Sequence, residues 1–327
     1  MSTKAKVLAA LQTSKGQYIS GSQLAQECGV SRNSIWKAIS TLQAEGIEIE
    51  SLHNKGYRLN GEKITLSQAS LEHWVGSDSI CVKYFDCIDS TNTHAKRLAA
   101  EGAAHGTVIV AGQQTAGRGR QGRSFSSPAN SGVYFSIILR PTFKLADMAC
   151  ITSFAAVCTA EVIEEVLGLS PQIKWVNDLF INGHKICGIL TEAAVQPENG
   201  EIDYVVVGIG VDIAKPEENL DELASEVAFA PLPSGQADVD EHRTRIAALT
   251  AMRIVEECAS IPSRPHLQSY RQRSLLDGKH VTVYHGADVY EADVLGINDD
   301  LTLQVRREDG CEVALSSGEV HIPSSQL

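Results

Sequence analysis

The chain has 327 residues, of which 43% are hydrophobic, and its formal net charge is −12. This composition excludes an intrinsically disordered protein, and the absence of a run of about 18 apolar residues excludes a membrane-spanning helix. The N-terminus also lacks the apolar core of a signal peptide, so we expect a cytoplasmic protein without a membrane partner.

The charge is unevenly distributed along the chain. Residues 1–65 hold eight basic and five acidic side chains, a formal charge of +3, which leaves −15 for the rest. The change of sign predicts two parts with different partners, of which only the first suits phosphate. The eight cysteines include no Cys-x-x-Cys pair, so we expect reduced, mostly buried thiols rather than disulfides or a zinc site.

Residues 1–60 predict three short helices followed by a β-hairpin. The helices are expected at about Lys4–Gln12, at Gly21–Cys28 after a cap at Ser20 or Ser22, and from Ser31 to Gly46. The alternating segment Ile47–Leu59 turns near its middle, as the wing of a winged helix would. A serine-capped helix that closely follows a helix ended by glycine is the helix-turn-helix arrangement.

The exposed face of the third helix is polar and basic, which suits DNA phosphates and base edges. A single module of this kind binds weakly, so a dimer on two half-sites would be needed. The alternative is a three-helix interaction module with a solvated polar face. The residues expected to contact DNA are Ser31, Arg32, Asn33, Ser34 and Lys37.

Beyond a short linker at 61–66, the pattern changes to mixed α and β, and we expect an α+β protein with domains at 1–65, 66–277 and 278–327. The last domain predicts a small SH3-like β-barrel, with four strands after Lys279. Residues 215–238 predict a loop. In the central domain, strands are expected at Val82–Ile88, Thr107–Gln113, Val133–Leu139, Gln172–Trp175, Ile186–Ala193 and Tyr204–Ile213, and helices at Thr91–Glu101, Leu145–Leu167 and Val239–Ile261.

The strongest local motif is Gly117–Arg123, in which glycines and arginines alternate after an apolar strand. Glycines let the backbone approach a ligand closely, and arginines offer fixed donors to phosphate or carboxylate. The segment fits Gly-x-Gly-x-x-Gly, but no helix and no acid about 20 residues later follow, which excludes a dinucleotide fingerprint. It lacks the Gly-Lys-Ser/Thr of a P-loop as well. The alternative is a flexible basic surface loop.

Two further motifs could face a ligand, and the first of them suits an anionic one. The segment Lys174–Asp178, a turn at Asn182-Gly183 and then Lys185 predict a hairpin that carries two lysines and an Asn-Asp pair. Lysine suits phosphate or carboxylate, and Asp178 could hold magnesium, whereas Trp175 could equally be a core residue. Ser90-Thr91-Asn92 begins a helix, and its hydroxyls could serve as an N-cap or face a ligand.

Together these motifs resemble those of biotin–protein ligases. In chain order they are Ser90-Thr91-Asn92, Gln114–Arg120, Lys174-Trp175-x-Asn177-Asp178, Gly183-x-Lys185-x-x-Gly188-Ile189-Leu190-x-Glu192 and Gly208-Ile209-Gly210. With SRNSIWKAI and NKGYRL in front, nearly the whole chain is similar to the bifunctional class, which acts as ligase and as repressor of biotin synthesis genes.

The resemblance implies that biotin and ATP form biotinyl-5′-AMP and that the biotinyl group passes to a lysine of the biotin carboxyl carrier protein. It also implies a homodimer, formed when biotinyl-AMP is bound, that binds operator DNA. Catalysis is assigned to Lys185, Arg118 and Arg120. Biotin is assigned to Ser90, Thr91, Asn92, Gln114, Gly117, Arg118, Arg120, Lys185 and Gly188, ATP to Arg118, Arg120, Arg123, Lys174, Trp175, Asn177, Lys185 and Asp212, and Mg²⁺ to Asp178.

Three residues depart from the family pattern. Val176 stands where the family usually has proline, and Asp212 where it usually has asparagine, so the role of Asp212 stays open. Leu295 stands at a position that is arginine in some relatives, which leaves a contact to nucleotide unassigned. The alternatives are a lipoate–protein ligase, a ligase without repressor activity, and a ligand-sensing regulator with a catalytically weak ligase domain.

Overall fold

The computed structural model describes residues 2–14, 16–44, 46–60, 65–142, 148–196, 201–215, 239–286 and 288–323. Within these residues the chain forms an N-terminal helical head, a seven-stranded central sheet covered by helices, and a five-stranded C-terminal sheet. The predicted α+β class is therefore confirmed. Among the described helices, none combines the length and apolar character that crossing a bilayer requires.

The head is a winged helix, as predicted. It consists of α1 (Thr3–Thr13), α2 (Gly21–Cys28), α3 (Arg32–Ala44), and the antiparallel strands β1 (Ile49–Leu52) and β2 (Gly56–Leu59). Ser20, rather than Ser22, caps α2 by accepting a hydrogen bond from the Gln23 N–H, and Gly29 ends α2 at φ 67°. The helices enclose a separate apolar core that includes Leu8, Leu11, Leu24, Ile35, Ile39 and Leu42.

Helix α4 (Gln68–Val75), which the sequence analysis did not predict, connects the head to the central domain. Its Ala69 is buried in the core of the head, whereas Leu71 and Val75 are buried in the central core. The Gln68 side chain also donates to the Val82 carbonyl and accepts from the Tyr84 N–H, both at 2.8 Å. One helix therefore packs in two cores and ties the head to the first strand of the central sheet.

The central sheet has the strand order β3-β4-β5-β9-β8-β7-β6. Strands β3 and β4 are parallel and are joined by α5 (Thr91–Ala100), and all the other neighbours are antiparallel. The bounds are β3 (Cys81–Phe85), β4 (Thr107–Ala111), β5 (Gly132–Leu139), β6 (Gln172–Lys174), β7 (Asp178–Ile181), β8 (His184–Val195) and β9 (Ile202–Asp212).

Strand β5 is buried along its whole length, because both faces of the sheet are covered there. Phe135 and Ile137 point into the main core, which contains α6 (Met148–Leu167) and α7 (Val239–Glu257), whereas Ile138 packs with Ala95 of α5 on the opposite face. Since side chains alternate along a strand, Tyr134 and Ser136 lie on the α5 face. That face holds the candidate site.

The C-terminal sheet has the strand order β13-β12-β11-β10-β14 and is antiparallel throughout. Its strands are β10 (His280–His285), β11 (Asp288–Ile297), β12 (Leu303–Arg307), β13 (Glu312–Leu315) and β14 (Glu319–His321), one more than the sequence predicted. The Trp175 indole donates to the Leu301 carbonyl at 3.0 Å, and the Arg271 guanidinium donates to the Ile297 carbonyl at 2.8 Å. These bonds fasten the sheet to the central domain.

Several predicted elements differ from the structure in detail. Strand β7 forms the first strand of the hairpin predicted to turn at Asn182-Gly183, although it was not given bounds of its own. The short helix α8 (Leu267–Gln272) was not predicted, and the helix expected at Val239–Ile261 ends at Glu257 and continues as a 3₁₀ helix to Ser263. Residues 61–64, 143–147 and 216–238, which cover much of the predicted linker, the start of one predicted helix and most of the predicted loop, lie outside the described residues. All eight cysteines are free, and five are buried.

Candidate active site

One pocket on the α5 side of the central sheet brings the three motifs together. Gly117 and Asp212 lie outside its lining, and the other predicted ligand-binding residues lie within it. The predicted residues that line it are Ser90, Thr91, Asn92, Gln114, Arg118, Arg120, Arg123, Lys174, Trp175, Asn177, Asp178, Lys185 and Gly188. Motifs spread along the chain from Ser90 to Gly188 therefore share one cavity.

The end of the pocket near α5 is neutral and hydrogen-bonded. Ser90 caps α5, because its hydroxyl oxygen accepts a hydrogen bond from the Thr93 N–H at 3.4 Å. Gln114 Oε1 accepts from the backbone N–H and the hydroxyl of Thr91 at 2.8 and 3.0 Å, and Gln114 Nε2 donates to Ser127 Oγ at 2.8 Å. This network fixes the Gln114 amide against the helix and provides neutral donors and acceptors, as a neutral polar ligand requires.

Asn92 lies beneath this end and is 5% exposed. Its Oδ1 accepts from Ser136 Oγ at 2.6 Å, and its Nδ2 donates to Glu192 Oε2 at 3.0 Å. A Cβ on Gly208 would come within 1.8 Å of Asn92 Oδ1, so the strand must carry glycine there. Asn92 therefore joins α5 to the floor of the pocket, and its polar atoms are already bonded to protein.

The loop between β4 and β5 carries the arginine-rich motif and folds back on itself. The Phe125 N–H donates to the Gly117 carbonyl at 2.9 Å, and the Gly119 N–H donates to the Arg123 carbonyl at 2.8 Å. A Cβ on Gly117 would lie 2.3 Å from the Phe125 carbonyl oxygen. Gly117 thus allows the close approach that shapes the loop, although it does not line the pocket.

Three basic side chains of the pocket lie against an acid or an amide. Arg118 lies 3.6 Å from Glu192, Lys185 lies 3.0 Å from Asp178, and Arg120 donates to Asn177 Oδ1 at 2.8 Å. Burial raises the pKa of Glu192, but hydrogen bonds from Lys96 and Asn92 outweigh it and hold the pKa below its ordinary value. Carboxylates thus occupy the positions that an anionic ligand would compete for.

The hairpin of β6 and β7 forms the far wall. Asn177 donates to Asp178 Oδ1 at 2.7 Å and to the Ile189 carbonyl at 3.1 Å, which fixes its amide. Burial lowers the pKa of Lys174, against the opposing effect of the Asp178 charge. Trp175 is 6% exposed and belongs to the central core. Trp175 was expected either to bind a ligand or to pack in the core, and most of its side chain packs in the core.

Among the residues at the pocket that were missing from the predicted ligand-binding residues, Phe125 and Glu319 line it, and Glu192 pairs with Arg118, which also lines it. Phe125 follows the arginine motif, and its ring packs so closely on the floor that a Cβ on Gly210 would lie 2.4 Å from it. Glu192 pairs with Lys96 at 2.7 Å, and Glu319 pairs with Arg123 at 2.7 Å. Phe125 could have been noticed in the sequence, because it is an aromatic residue within a polar turn segment. Glu319 belongs to the C-terminal sheet, and no sequence motif connects it with the pocket.

Asp212 ends β9 opposite Gly132 and is 5% exposed. Burial raises its pKa to about 7, and the nearby Lys185 charge lowers it in part. The carboxyl group is therefore close to its midpoint of ionisation near neutral pH. It is not among the residues that line the pocket.

The described residues contain no group of three or more His, Cys, Asp or Glu side chains that could hold a metal ion. A single carboxylate beside an amide, as at Asp178 and Asn177, does fit Mg²⁺ that takes its other ligands from phosphate and water.

The predicted DNA-contacting residues lie at the start of α3. Ser31 Oγ accepts from the Ser34 N–H at 3.2 Å, and the two hydroxyls lie 2.9 Å apart, so both take part in the cap. Arg32, Asn33 and Lys37 are exposed.

Comparison with known proteins identifies both parts of the chain. Residues 84–212 match the Biotin/lipoate A/B protein ligase family, and residues 3–58 match an HTH domain. The biotin–[acetyl-CoA-carboxylase] ligase of Mycobacterium tuberculosis is 30% identical over 241 residues, which cover 71% of this chain and 85% of that protein. The chain belongs to this ligase family.

Further relatives of the family extend the likeness. The bifunctional ligase/repressor BirA of Bacillus subtilis is 39% identical over 210 residues, which cover 63% of this chain. The match spans 64% of that relative's own length, which is less than two thirds. The biotin protein ligase from Aquifex aeolicus in complex with biotin and ATP superposes with a TM-score of 0.56 at 22% identity, covering 74% of this chain and 98% of that one. At this level of identity the likeness shows the fold alone.

Proposed function

We propose that this protein is a biotin–protein ligase that makes biotinyl-5′-AMP from biotin and ATP and transfers the biotinyl group to a lysine of the biotin carboxyl carrier protein. The observation that carries the proposal is the division of one pocket into a neutral part at Thr91 and Gln114 and a cationic part at Arg120 and Lys185, beside Asn177 and Asp178. Biotin has the same division, with a neutral ureido ring and a carboxylate.

In the first step, a carboxylate oxygen of biotin attacks the α-phosphorus of ATP, and the bond to the β-phosphate oxygen breaks to release pyrophosphate. Two anions that repel each other must come together, so positioned cations supply most of the catalysis. Lys185 would leave Asp178 to bridge carboxylate and α-phosphate, and Arg118 would likewise leave Glu192. Gln114, held by Thr91, would bind the ureido ring.

Nucleotide would occupy the end of the pocket near Arg123, Lys174 and Asn177. Asp178, beside Asn177, would hold Mg²⁺, which supplies charge neutralisation to the triphosphate. The arginine loop would cover the mixed anhydride and exclude water from it.

In the second step, the ε-amine of the acceptor lysine attacks the acyl carbon. An amide bond forms, the bond from the acyl carbon to the AMP oxygen breaks, and AMP leaves as the anion while the amine loses a proton. Lys185 would stabilise the departing phosphate in this step as well.

The winged helix supports a second activity, which is repression of biotin synthesis genes by a dimer that forms when biotinyl-AMP is bound. Two heads related by a twofold axis would place two α3 helices on the half-sites of a palindromic operator. Arg32 and Lys37 would contact DNA, whereas Ser31 and Ser34 would hold the start of the helix in place.

The test is incubation of the purified chain with biotin, MgATP and a biotin-acceptor domain, followed by intact-mass measurement. We expect the acceptor to gain one biotinyl group, and Lys185→Ala to leave it unmodified. Parallel pyrophosphate exchange with lipoate in place of biotin should give no signal. Pyrophosphate exchange driven by lipoate and not by biotin would identify a lipoate ligase, and an acceptor that is never labelled would refute the enzymatic assignment.

A further inference from the structure

The Trp36 side chain exposes a large apolar surface to water. It lies on α3, the helix that the proposed function places on DNA. Its side chain is 62% exposed, the largest fraction among the exposed large hydrophobic side chains of the described residues. Such a residue on a recognition surface points to a contact that is made only when a partner is bound.

The position of Trp36 on α3 places it within the predicted DNA-binding face. At about 100° per residue, Trp36 lies between Arg32 and Asn33 when the helix is viewed along its axis. The buried side chains Ile35 and Leu42 lie about 100–120° away from Trp36 around the helix, and Ile39 about 60° away. The exposed face therefore presents an indole framed by a cation and an amide.

The charge around Trp36 favours a polyanionic partner. Arg32 and Lys37 are exposed on the same helix, and α3 contains no acidic residue. Residues 1–65 carry a formal charge of +3 in a chain whose total is −12. A second copy of this acidic chain could meet the head, but the basic frame suits a phosphate backbone better.

The hydroxyl groups of α3 are already bonded within the helix. Ser31 and Ser34 form the cap, Ser40 Oγ donates to the Trp36 carbonyl at 3.0 Å, and Thr41 Oγ1 donates to the Lys37 carbonyl at 2.9 Å. Contact with base edges therefore falls to the longer side chains on the face, and among them Trp36 is the apolar one.

We infer that Trp36 is a specificity-determining residue that packs against the C5-methyl group of a thymine in the major groove. That methyl group is the apolar feature that the groove displays, and it distinguishes thymine from the other bases. The inference rests on the DNA-binding part of the proposed function and adds a base preference to it.

The experiment first selects duplexes from a random-sequence library with the full-length chain, biotin and MgATP. Each thymine of the selected sequence is then replaced singly by deoxyuridine, which removes only the methyl group, and affinity is measured at fixed salt. For the wild-type chain we expect at least one replacement per half-site to weaken binding about fourfold, the effect of one buried methyl group. The Trp36→Ala chain should bind less tightly and should not respond to that replacement.

Two variants serve as controls. Val289→Ala removes an equally exposed apolar side chain, 60% exposed, from the C-terminal sheet and should keep the full response to deoxyuridine. Trp36→Phe keeps an aromatic ring and should retain part of the response to deoxyuridine. Thermal melts should place all three variants close to the wild-type chain, because the substituted side chains lie on the surface.

The outcomes separate the inference from the proposed function. If the wild-type chain selects no sequence, the DNA-binding assignment fails and the inference fails with it. If it selects a sequence but Trp36→Ala shows the same response to deoxyuridine, only the inference is overturned. A Trp36→Ala chain that loses a dimer in sedimentation and shows no change in base preference would also overturn it, since the indole would then contact a second copy.

Discussion

Lys185 has a neighbour in the pocket that it must exchange for ligand. Its ammonium lies 3.0 Å from Asp178 Oδ1 and about 6.0 Å from the centre of the Phe125 ring. Leaving a partly buried charge without a partner is costly, so the ammonium gives up Asp178 when another anion takes its place. Lys185 is thus positioned to bind a negatively charged group. The hydrogen bonds between Thr91 and Gln114 at the neutral end of the pocket do not involve Lys185.

Replacing Lys185 by alanine should therefore separate binding from chemistry. We expect biotin to bind within a few-fold of the wild-type affinity, because Thr91 and Gln114 are unchanged. Adenylate formation should fall at least about 100-fold, the effect of removing one preorganised charge from a transition state. Calorimetry with biotin and pyrophosphate exchange measure the two quantities. Lys83→Ala, at an exposed position of β3, is the matched control, and normal exchange in Lys185→Ala would refute the assignment.

Asp212 makes the free energy of unfolding decrease as pH rises, which is the reverse of the usual effect of a carboxyl group. Its pKa is raised from 3.8 to about 7 by burial. Between these values the unfolded chain loses the proton while the folded chain keeps it, so stability falls as pH rises from about 4 to 7 and then levels off. At about 1.4 kcal/mol per pKa unit, the loss is on the order of 4 kcal/mol.

Asp212→Asn, which imitates the protonated side chain, should remove this loss. The free energy of unfolding of the variant minus that of the wild type should increase between pH 4 and pH 7.5, as measured by urea denaturation. Asp288→Asn, at an exposed position, should show no such trend. A constant difference across the range would mean that Asp212 is ionised in both states.

At the scale of elements, the β4–β5 loop is attached to the two walls of the pocket by different arginines. Arg120 donates to Asn177 after β6, and Arg123 pairs with Glu319 of β14. The loop is therefore held by the central domain on one side and by the C-terminal sheet on the other. We therefore expect the loop to cover a bound ligand, and the contacts of Arg120 and Arg123 to determine how long the ligand is retained.

Arg120→Gly should release biotinyl-5′-AMP before the acceptor arrives. A charge-assisted hydrogen bond is worth about 1.5–3 kcal/mol, so release should become at least about tenfold faster. Filter retention after dilution measures release, and mass spectrometry of a bystander protein detects lysines labelled by the free adenylate. Gln121→Gly is the matched control, because Gln121 already has φ 55° and glycine adopts that conformation without strain. Equal labelling by both variants would show that backbone flexibility, rather than the guanidinium group, controls release.

The elements that local signals define were predicted from the sequence. Ser20 and Gly29 bound α2 as caps, the continuous apolar run of β5 reflects burial on both faces, and Gly117–Arg123 forms a loop at the pocket as expected. These features depend on residues that are close together in the chain, so propensity and periodicity reveal them.

The parts that were missed depend on tertiary pairing. Helix α4 has only eight residues, too few for a clear period, and its stability comes from packing in two cores. Glu319 reaches the pocket because β14 pairs with β10 and the C-terminal sheet docks through Trp175, contacts between segments far apart in the sequence. No local pattern encodes such an approach.

At the scale of the whole molecule, α4 couples the head to the ligase mechanically, while the two proposed functions use separate surfaces. The α3 face and the pocket belong to different apolar cores, and α4 is the described helix that is buried in both. A change inside the head core should therefore reach the central domain through α4. A change on the surface of the head should not.

Arg32→Ala tests this separation. Loss of one contact to a phosphate or base edge should weaken binding to the selected duplex about tenfold, whereas the rate of biotin transfer to the acceptor should stay within twofold, because Arg32 is exposed and lies outside the ligase core. Leu8→Ala, which opens a cavity in the head core at a cost of about 2–5 kcal/mol, should lower the melting temperature of the head and reduce both activities. If Arg32→Ala also lost both activities while its melting curve stayed normal, the surfaces would be coupled directly, and the separation inferred from the two cores would be wrong.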